Sequence, residues 1–447
     1  MRRNALATLL ISAAYLAPPP AFAVEGNLSP PKCTAQSDSA DPALAYIIAS
    51  SAAVRTAPSA SAELVGYAPI ARPLNLFCQQ DGWIKVSLDG AQSMNGWLRA
   101  DLAGAELPTR DAALAALRGA QAGNFTALRI QSERVLAFDP LDEANFETVL
   151  QVVRGAGDVE WTHKLERRLA VLRAPTVALA PNEEKLLFAI EGTSMHPVAT
   201  LVDGKWQGYS ASAGDDQQRK DDRKFADRYF AMGRAYNFYT HGGVDGMVLA
   251  AGGHEAGCSS MAASFKRAAG KPAVVSGLAA NFPLTEQPAG QDLPVADSQK
   301  RAVLDVAGAV LKAQGVSAAG MARLLRAPAG AEQGLVISAV PSPGQPLPLL
   351  VASSSYSDPD SGQGYSFLLV MEADRNGKYA VSHRYFKKMK TDEDAGAYRL
   401  LAYVDIDGDG RQELVLVYNG YESWWYEMLR REGTGWKKLF RGGEGGC

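Results

Sequence analysis

The densest run of metal-type donors in the chain is Asp405-Ile406-Asp407-Gly408-Asp409-Gly410-Arg411-Gln412-Glu413. Carboxylates stand at its positions 1, 3, 5 and 9, with glycine at 6. Hard oxygen donors at that spacing suit Ca2+, and the glycine permits the sharp turn that wraps them round an ion. The same string also fits an Asp/Gly hairpin turn that needs no metal. A second reactive group is the thiol of Gly257-Cys258-Ser259-Ser260-Met261. At a helix start such a thiol has a lowered pKa and is a nucleophile. His254 precedes it by four residues, and His383 is the one histidine that follows it. A third short string is Gly192-Thr193-Ser194-Met195-His196-Pro197. The five histidines (163, 196, 241, 254, 383) do not cluster, and the chain has no HExxH and no nucleophile elbow.

The Asp/Gly run resembles the calcium loops of integrin-type FG-GAP repeats. That resemblance implies Asp405, Asp407, Asp409, the Arg411 carbonyl and Glu413 as ligands, in a structural Ca2+ site. The run departs from the EF-hand, whose twelfth position is a bidentate Glu, because that position is Leu416 here. Strand-like flanks favour the β version. The Cys258 segment is similar to the nucleophile segment of NlpC-type cell-wall cysteine peptidases. Gly257 stands where that family has Asp, and Ser260 where it has Gly. The competing reading is a disulfide between Cys258 and Cys447. Ser194-Met195-His196-Pro197 is similar to the serine box of type I signal peptidases, but no strand with a basic Lys accompanies it, and we read the match as coincidence.

Residues 44–104 hold short β-type runs separated by turns. Val54-Arg55-Thr56-Ala57-Pro58 comes first, then Gly82-Trp83-Ile84-Lys85-Val86, then Gly96-Trp97-Leu98. In that order and spacing these strings resemble the bacterial SH3-like domain. The resemblance implies a small β-barrel whose ligands are cell-wall peptides or other proteins. Tyr67, Trp83 and Trp97 are the candidate ligand-binding residues, and core packing is the competing role for the two tryptophans.

Residues 111–172 switch to helical periodicity: Phe146, Val149, Leu150 and Val153 recur at i, i+3, i+4, i+7. Ser132 to Pro140 resembles the junction of two tetratricopeptide repeats. About two hairpins fall short of the ~3 repeats that a free-standing solenoid needs, so this segment reads as a helical spacer. Residues 183–283 read as an α+β region in which Asp215 to Arg228, dense in both charge signs, is a solvated helix face or loop. Residues 297–447 read as an amphipathic helix, with Asp297 as its N-cap, followed by a strand-rich domain ending in the Asp/Gly loop. Leu349 to Tyr356 echoes Leu414 to Tyr421 at an offset of 65, the mark of a two-fold repeat of a small β unit.

The N-terminus, with Arg2, Arg3, an apolar stretch from Leu6 to Leu16 and Ala21-Phe22-Ala23, reads as a secretory signal peptide over 1–23, followed by a mobile leader over 24–43. The apolar stretch is shorter than the ~20 residues a membrane span requires, which predicts no transmembrane anchor after cleavage. An even count of four cysteines in an oxidising compartment predicts disulfides, and we pair Cys33 with Cys78 and Cys258 with Cys447. The 447 residues need more than one core. A net charge of −3 offers no basic field for nucleic acid. These features together predict a multidomain, strand-rich α+β protein of the periplasm. Its expected role is non-catalytic binding or scaffolding with a cell-wall peptide or envelope protein as partner. A cell-wall cysteine peptidase using Cys258 and a calcium-dependent adhesion or assembly protein are the alternatives.

Overall fold

Alternating apolar residues at period two and stripes at period 3.6 each bury one face, and the chain uses both. The computed structural model describes residues 30–34, 42–88, 94–120, 123–177, 179–180, 182–209, 216–240, 243–256, 260–267, 276–284, 293–326, 334–342, 344–358, 363–390, 396–420 and 423–446. The expected signal peptide, Cys258, Cys447 and His241 lie outside them. The chain divides into two compact units, Met1–Phe138 and Asp139–Cys447. That boundary falls inside the 111–172 segment. Among the described residues no helix is long and apolar enough to cross a membrane.

The first unit opens with strands β1 (Ala43–Ile47), β2 (Ser51–Arg55), β3 (Leu64–Pro69), β4 (Pro73–Gln80), β5 (Trp83–Leu88), β6 (Met94–Arg99) and β7 (Ala103–Gly104). They form one antiparallel sheet in the order β3-β2-β6-β5-β4-β1-β7, with a 3-10 turn at Ala100–Leu102 before the last strand. Ala45, Ile47, Val54, Leu74, Leu76, Ile84, Val86, Leu88 and Leu98 make its core. Residues 30–34 are not loose. The Cys33–Cys78 disulfide ties them to β4, the Cys33 N–H donates to the Gln79 carbonyl, and the Gln79 N–H donates to the Pro31 carbonyl. Closing that 45-residue separation stabilises by about 4 kcal/mol in the chain-entropy account. Helices α1 (Arg110–Arg118) and α2 (Phe125–Phe138) complete the unit.

The second unit begins with a helical hairpin, α3 (Glu143–Ala156) and α4 (Val159–Arg173). Asp142 and Asp158 cap these helices through their side chains. Next come β8 (Leu186–Glu191), β9 (Ser194–Val202), β10 (Lys205–Gly208), α5 (Asp216–Tyr229), β11 (Ala235–Thr240), β12 (Gly243–Ala256), β13 (Ser260–Arg267) and β14 (Ser276–Ala280). Six of these strands close into a barrel, because β8 pairs with both β14 and β9 while β13, β12 and β11 complete the ring. Pro197 sits within β9 where a register shift lies in the β8–β9 ladder, a position that does not require its missing N–H. Phe188, Ile190, Tyr236, Phe238, Val248 and Ala263 fill the barrel together with Tyr229 and Phe230 from the end of α5. The charge-rich segment is thus a helix whose aromatic end is core.

Two more helices, α6 (Asp297–Ala313) and α7 (Ala318–Leu324), precede eight strands. The N-cap of α6 is Ala296, one residue before the expected Asp297. The Gln299 side chain reaches back to accept the Ala296 N–H, which fixes the start. Strands β15 (Val336–Val340), β16 (Leu349–Asp358), β17 (Gln363–Ala373) and β18 (Tyr379–Lys390) form one antiparallel meander. Strands β19 (Ala397–Val404), β20 (Glu413–Asn419), β21 (Ser423–Glu432) and β22 (Gly435–Gly446) form a second. Leu349, Val351, Leu368 and Val370 of the first pack on Leu400, Leu414, Leu416 and Tyr418 of the second. The other face of the first meander packs under α6 and α7, through Leu350, Phe367, Val303, Ala307 and Leu311. The other face of the second packs on the barrel, through Val415, Val417, Met428, Leu187, Ala199 and Leu278. Strand β22 also crosses β10 with Gly442 against Gly208, so close that a Cβ at either would strike backbone.

Candidate functional site

Two places gather the side chains with chemistry, one in each unit. The first is the outer face of the N-terminal sheet. Ile84, Val86 and Leu88 point inward, which turns Trp83, Lys85 and Ser87 outward. On β6, Leu98 points inward and Trp97 and Arg99 outward. Trp97 stands opposite Arg55 on one side and Lys85 on the other, and Trp83 stands opposite Arg99. Phe77 is the extra residue where the β4–β5 register shifts beside Lys85, and it too is half-buried. Arg55, Trp97 and Lys85 therefore stand in register on three strands, with Cys78 opposite Lys85 on the fourth and Phe77 bulged beside it.

None of Tyr67, Phe77, Trp83 and Trp97 belongs to the core cluster of this sheet, and Tyr67 is 58 % exposed. The two tryptophans are half-buried, so they serve the surface and not the core. Neighbouring bonds hold two of the cations in place. Arg55 donates to the Ala62 carbonyl at 2.7 Å, and Arg99 pairs with Asp101 at 2.5 Å. Phe77 and the cations went unread in the sequence. Their signal was the alternation itself, since each lies out of phase with the buried positions of its strand.

The second place is the connection between β19 and β20, the Asp/Gly run. Carboxylate oxygens of Asp405, Asp407 and Glu413 lie within 4.8 Å of one another. Asp405 folds the loop: its Oδ1 accepts the Gly408 N–H at 2.7 Å and its Oδ2 the Gly410 N–H at 2.9 Å. Gly408 and Gly410 have φ of 80° and 81°, a backbone that a side chain would strain. Glu413 is fully buried at the start of β20, where Oε2 accepts the Ile406 N–H at 3.0 Å. Burial pushes its carboxyl up to about 7, against the pull of the Ile406 N–H and of Arg430.

Arg430 is the member that sequence reasoning missed. It lies opposite Glu413 across the β20–β21 ladder, donates from Nε to Glu413 Oε1 at 2.8 Å, and pairs through Nη2 with Asp407 Oδ2. Asp409 stands outside the cluster of three. It is exposed, and its Oδ1 accepts the Arg411 N–H at 2.8 Å. The Arg411 side chain is exposed as well. Three acidic groups with oxygen donors only are the right chemistry for a hard divalent cation. Fully ionised, three carboxylates against one guanidinium leave two negative charges for such an ion to neutralise. The donor set fits Ca2+, and the guanidinium of Arg430 holds two of the three carboxylates.

Of the other chemical strings, Ser194 and Met195 lie in β9, where Met195 is buried in the barrel core. His196 packs edge-on against Trp424 at 5.4 Å. Comparison with family models, with curated proteins and with solved structures returned no match.

Proposed function

We propose that the chain is an exported, non-catalytic binding protein of the cell envelope that engages its ligand through the outer face of β2, β6 and β5. One observation carries this reading. Two tryptophans, Trp83 and Trp97, lie half-buried outside a core that is complete without them. Large aromatic rings held on a rigid sheet offer a partner much apolar area at little cost in side-chain entropy. The Val54-Arg55…Pro58, Gly82-Trp83 and Gly96-Trp97 strings support an SH3-like barrel with a wall peptide or envelope protein as ligand. The Cys33–Cys78 disulfide supports an oxidising compartment, the periplasm in this reading.

The test is sedimentation of the mature chain with purified sacculi. Trp97→Ala and Trp83→Ala are each expected to weaken binding at least tenfold while the melting temperature stays within about 2 °C, because neither ring is core. Sedimentation that is unchanged in the double variant sinks the reading.

A second reading concerns the other site and rests on the convergence of Asp405, Asp407 and Glu413. These three residues would hold a Ca2+ ion that braces the β19–β20 connection, and Arg430 would give up Asp407 and Glu413 to it. The role is structural, since the connection joins two strands buried on both faces.

A further inference from the structure

We propose that the outer edge of β18, from Arg384 to Lys388, accepts an acidic extended segment of another protein as an added strand. This goes beyond the binding reading above and concerns the second unit. β18 is the last strand of the β15-β16-β17-β18 meander and pairs on one side only. The start of its outer edge is taken. There the register shifts from Met371 opposite Val381 to Val370 opposite His383, and Trp436 Nε1 donates to Ser382 Oγ at 3.1 Å. Further on, among the described residues, Arg384, Phe386, Lys387 and Lys388 make no backbone–backbone bond outside the β17 ladder. The edges of β15 and β22 are met by other segments: Leu293 bridges to Ala339, and the Gly443 N–H donates to the Tyr209 carbonyl. A row of unpaired N–H and C=O groups is a template for one more strand, and five residues is an ordinary strand length.

The side chains say which strand fits. Arg384, Lys387 and Lys388 are exposed, and among the described residues none of the three meets a carboxylate. Lys388 Nζ rests 5.8 Å from the centre of the Tyr365 ring, which leaves its charge uncompensated. Alternation puts Arg384, Phe386 and Lys388 on the face that α6 and α7 cover, and Tyr385 and Lys387 on the seam face. A second copy paired antiparallel about Phe386 would set Arg384 opposite Lys388 twice, and like charges directly opposite destabilise a ladder. Edge cations guard against such self-pairing. A strand with carboxylates opposite Lys388, Lys387 and Arg384, and a β-branched residue opposite Phe386, reverses the sign of each of those terms. Backbone bonds then supply the grip and the carboxylates supply the choice.

The experiment titrates the full mature chain with a blocked nine-residue peptide. It carries Glu at the third, fourth and seventh positions, Val at the fifth and Thr elsewhere, or Gln in place of each Glu. With three cross-strand ion pairs, the Glu peptide is expected to bind about tenfold tighter at low salt, the gap narrowing as salt rises. Alternate amides of 384–388 are expected to gain protection from hydrogen exchange on binding, and N-methylation of the peptide along its pairing edge to abolish it. Arg384→Gln, Lys387→Gln and Lys388→Gln together are expected to cut the preference below threefold. Lys312→Gln, at an exposed position of α6, is expected to leave it unchanged. Equal binding of the two peptides, or none of either, overturns the proposal. So does binding of the Glu peptide that leaves those amides unprotected, since charge alone then holds it. Binding that appears only after Asp392→Asn, Glu393→Gln and Asp394→Asn assigns the edge to a segment of this chain, and a dimer protected at the same amides assigns it to a second copy. Either result overturns the partner strand.

Discussion

The two four-stranded meanders of the second unit share one plan and differ in what covers them. In each, the first and second strands are joined by eight residues, 341–348 in one and 405–412 in the other. In each, alternate residues of the second strand face the partner meander: Leu349 and Val351 in β16, Leu414 and Leu416 in β20. The opposite faces part company, because helices α6 and α7 cover the first and the six-stranded barrel covers the second. The connections part company too. One is Pro-Ser-Pro-Gly-Gln-Pro-Leu-Pro, and the other carries Asp405 and Asp407 and leads into Glu413. A shared sheet leaves the chemistry of its loops free to diverge, since a connection outside the ladder is bound only by turn geometry.

The largest effect that separates the two comes from core truncation. Leu416 and Leu350 are both fully buried, one between the two sheets and one under the helices. Leu416→Ala is expected to cost about 3–5 kcal/mol and Leu350→Ala about 2–3 kcal/mol, because a helix layer settles into a cavity more readily than two interlocked sheets. Denaturant unfolding of the second unit measures both, and an equal or reversed order breaks the comparison.

Next in size is the response to calcium, which separates the two connections. At a hundredfold excess over Kd, Ca2+ is expected to add about 2.7 kcal/mol, or roughly 5 °C in melting temperature. Asp407→Asn should abolish the shift and Gln345→Ala in the other connection should not. A melting temperature indifferent to Ca2+ and to chelator leaves Arg430 as the only cation this loop uses.

The smallest effect tests the seam between the meanders. His383 on β18 stands opposite Val370 of the seam, near Glu427 and Lys438 of the second sheet. Burial holds its imidazole below the ordinary 6.5, with Lys438 acting in the same sense and Glu427 against it. The unfolded chain therefore takes the proton first. Stability from this group is present above pH 6.5 and is lost as pH falls below it. The pH dependence of unfolding should show that shallow decline in the native chain and lose it in His383→Gln.

Much of this architecture follows from local pattern. Period-two alternation marks β5, a continuous apolar run marks β20 as a strand buried on both faces, period 3.6 marks α3 and α6, and the 65-residue echo between Leu349 and Leu414 keeps each residue on the matching face. Cysteine count and position led to the Cys33–Cys78 bond. Those signals are legible because each depends on neighbours a few residues apart or on a repeat of the same pattern. Other features depend on which distant strands pair. The barrel closes where Leu187 of β8 meets Ala280 of β14, 93 residues on. Glu413 meets Arg430 only through the β20–β21 register. Trp83 and Trp97 became surface residues only once Ile84, Val86 and Leu98 had filled the core. Composition and spacing by themselves determined the kinds of element and the carboxylates of the loop. Tertiary structure decided which cation faces those carboxylates and which rings face solvent, because burial and charge pairing belong to the packed sheet and not to any one strand.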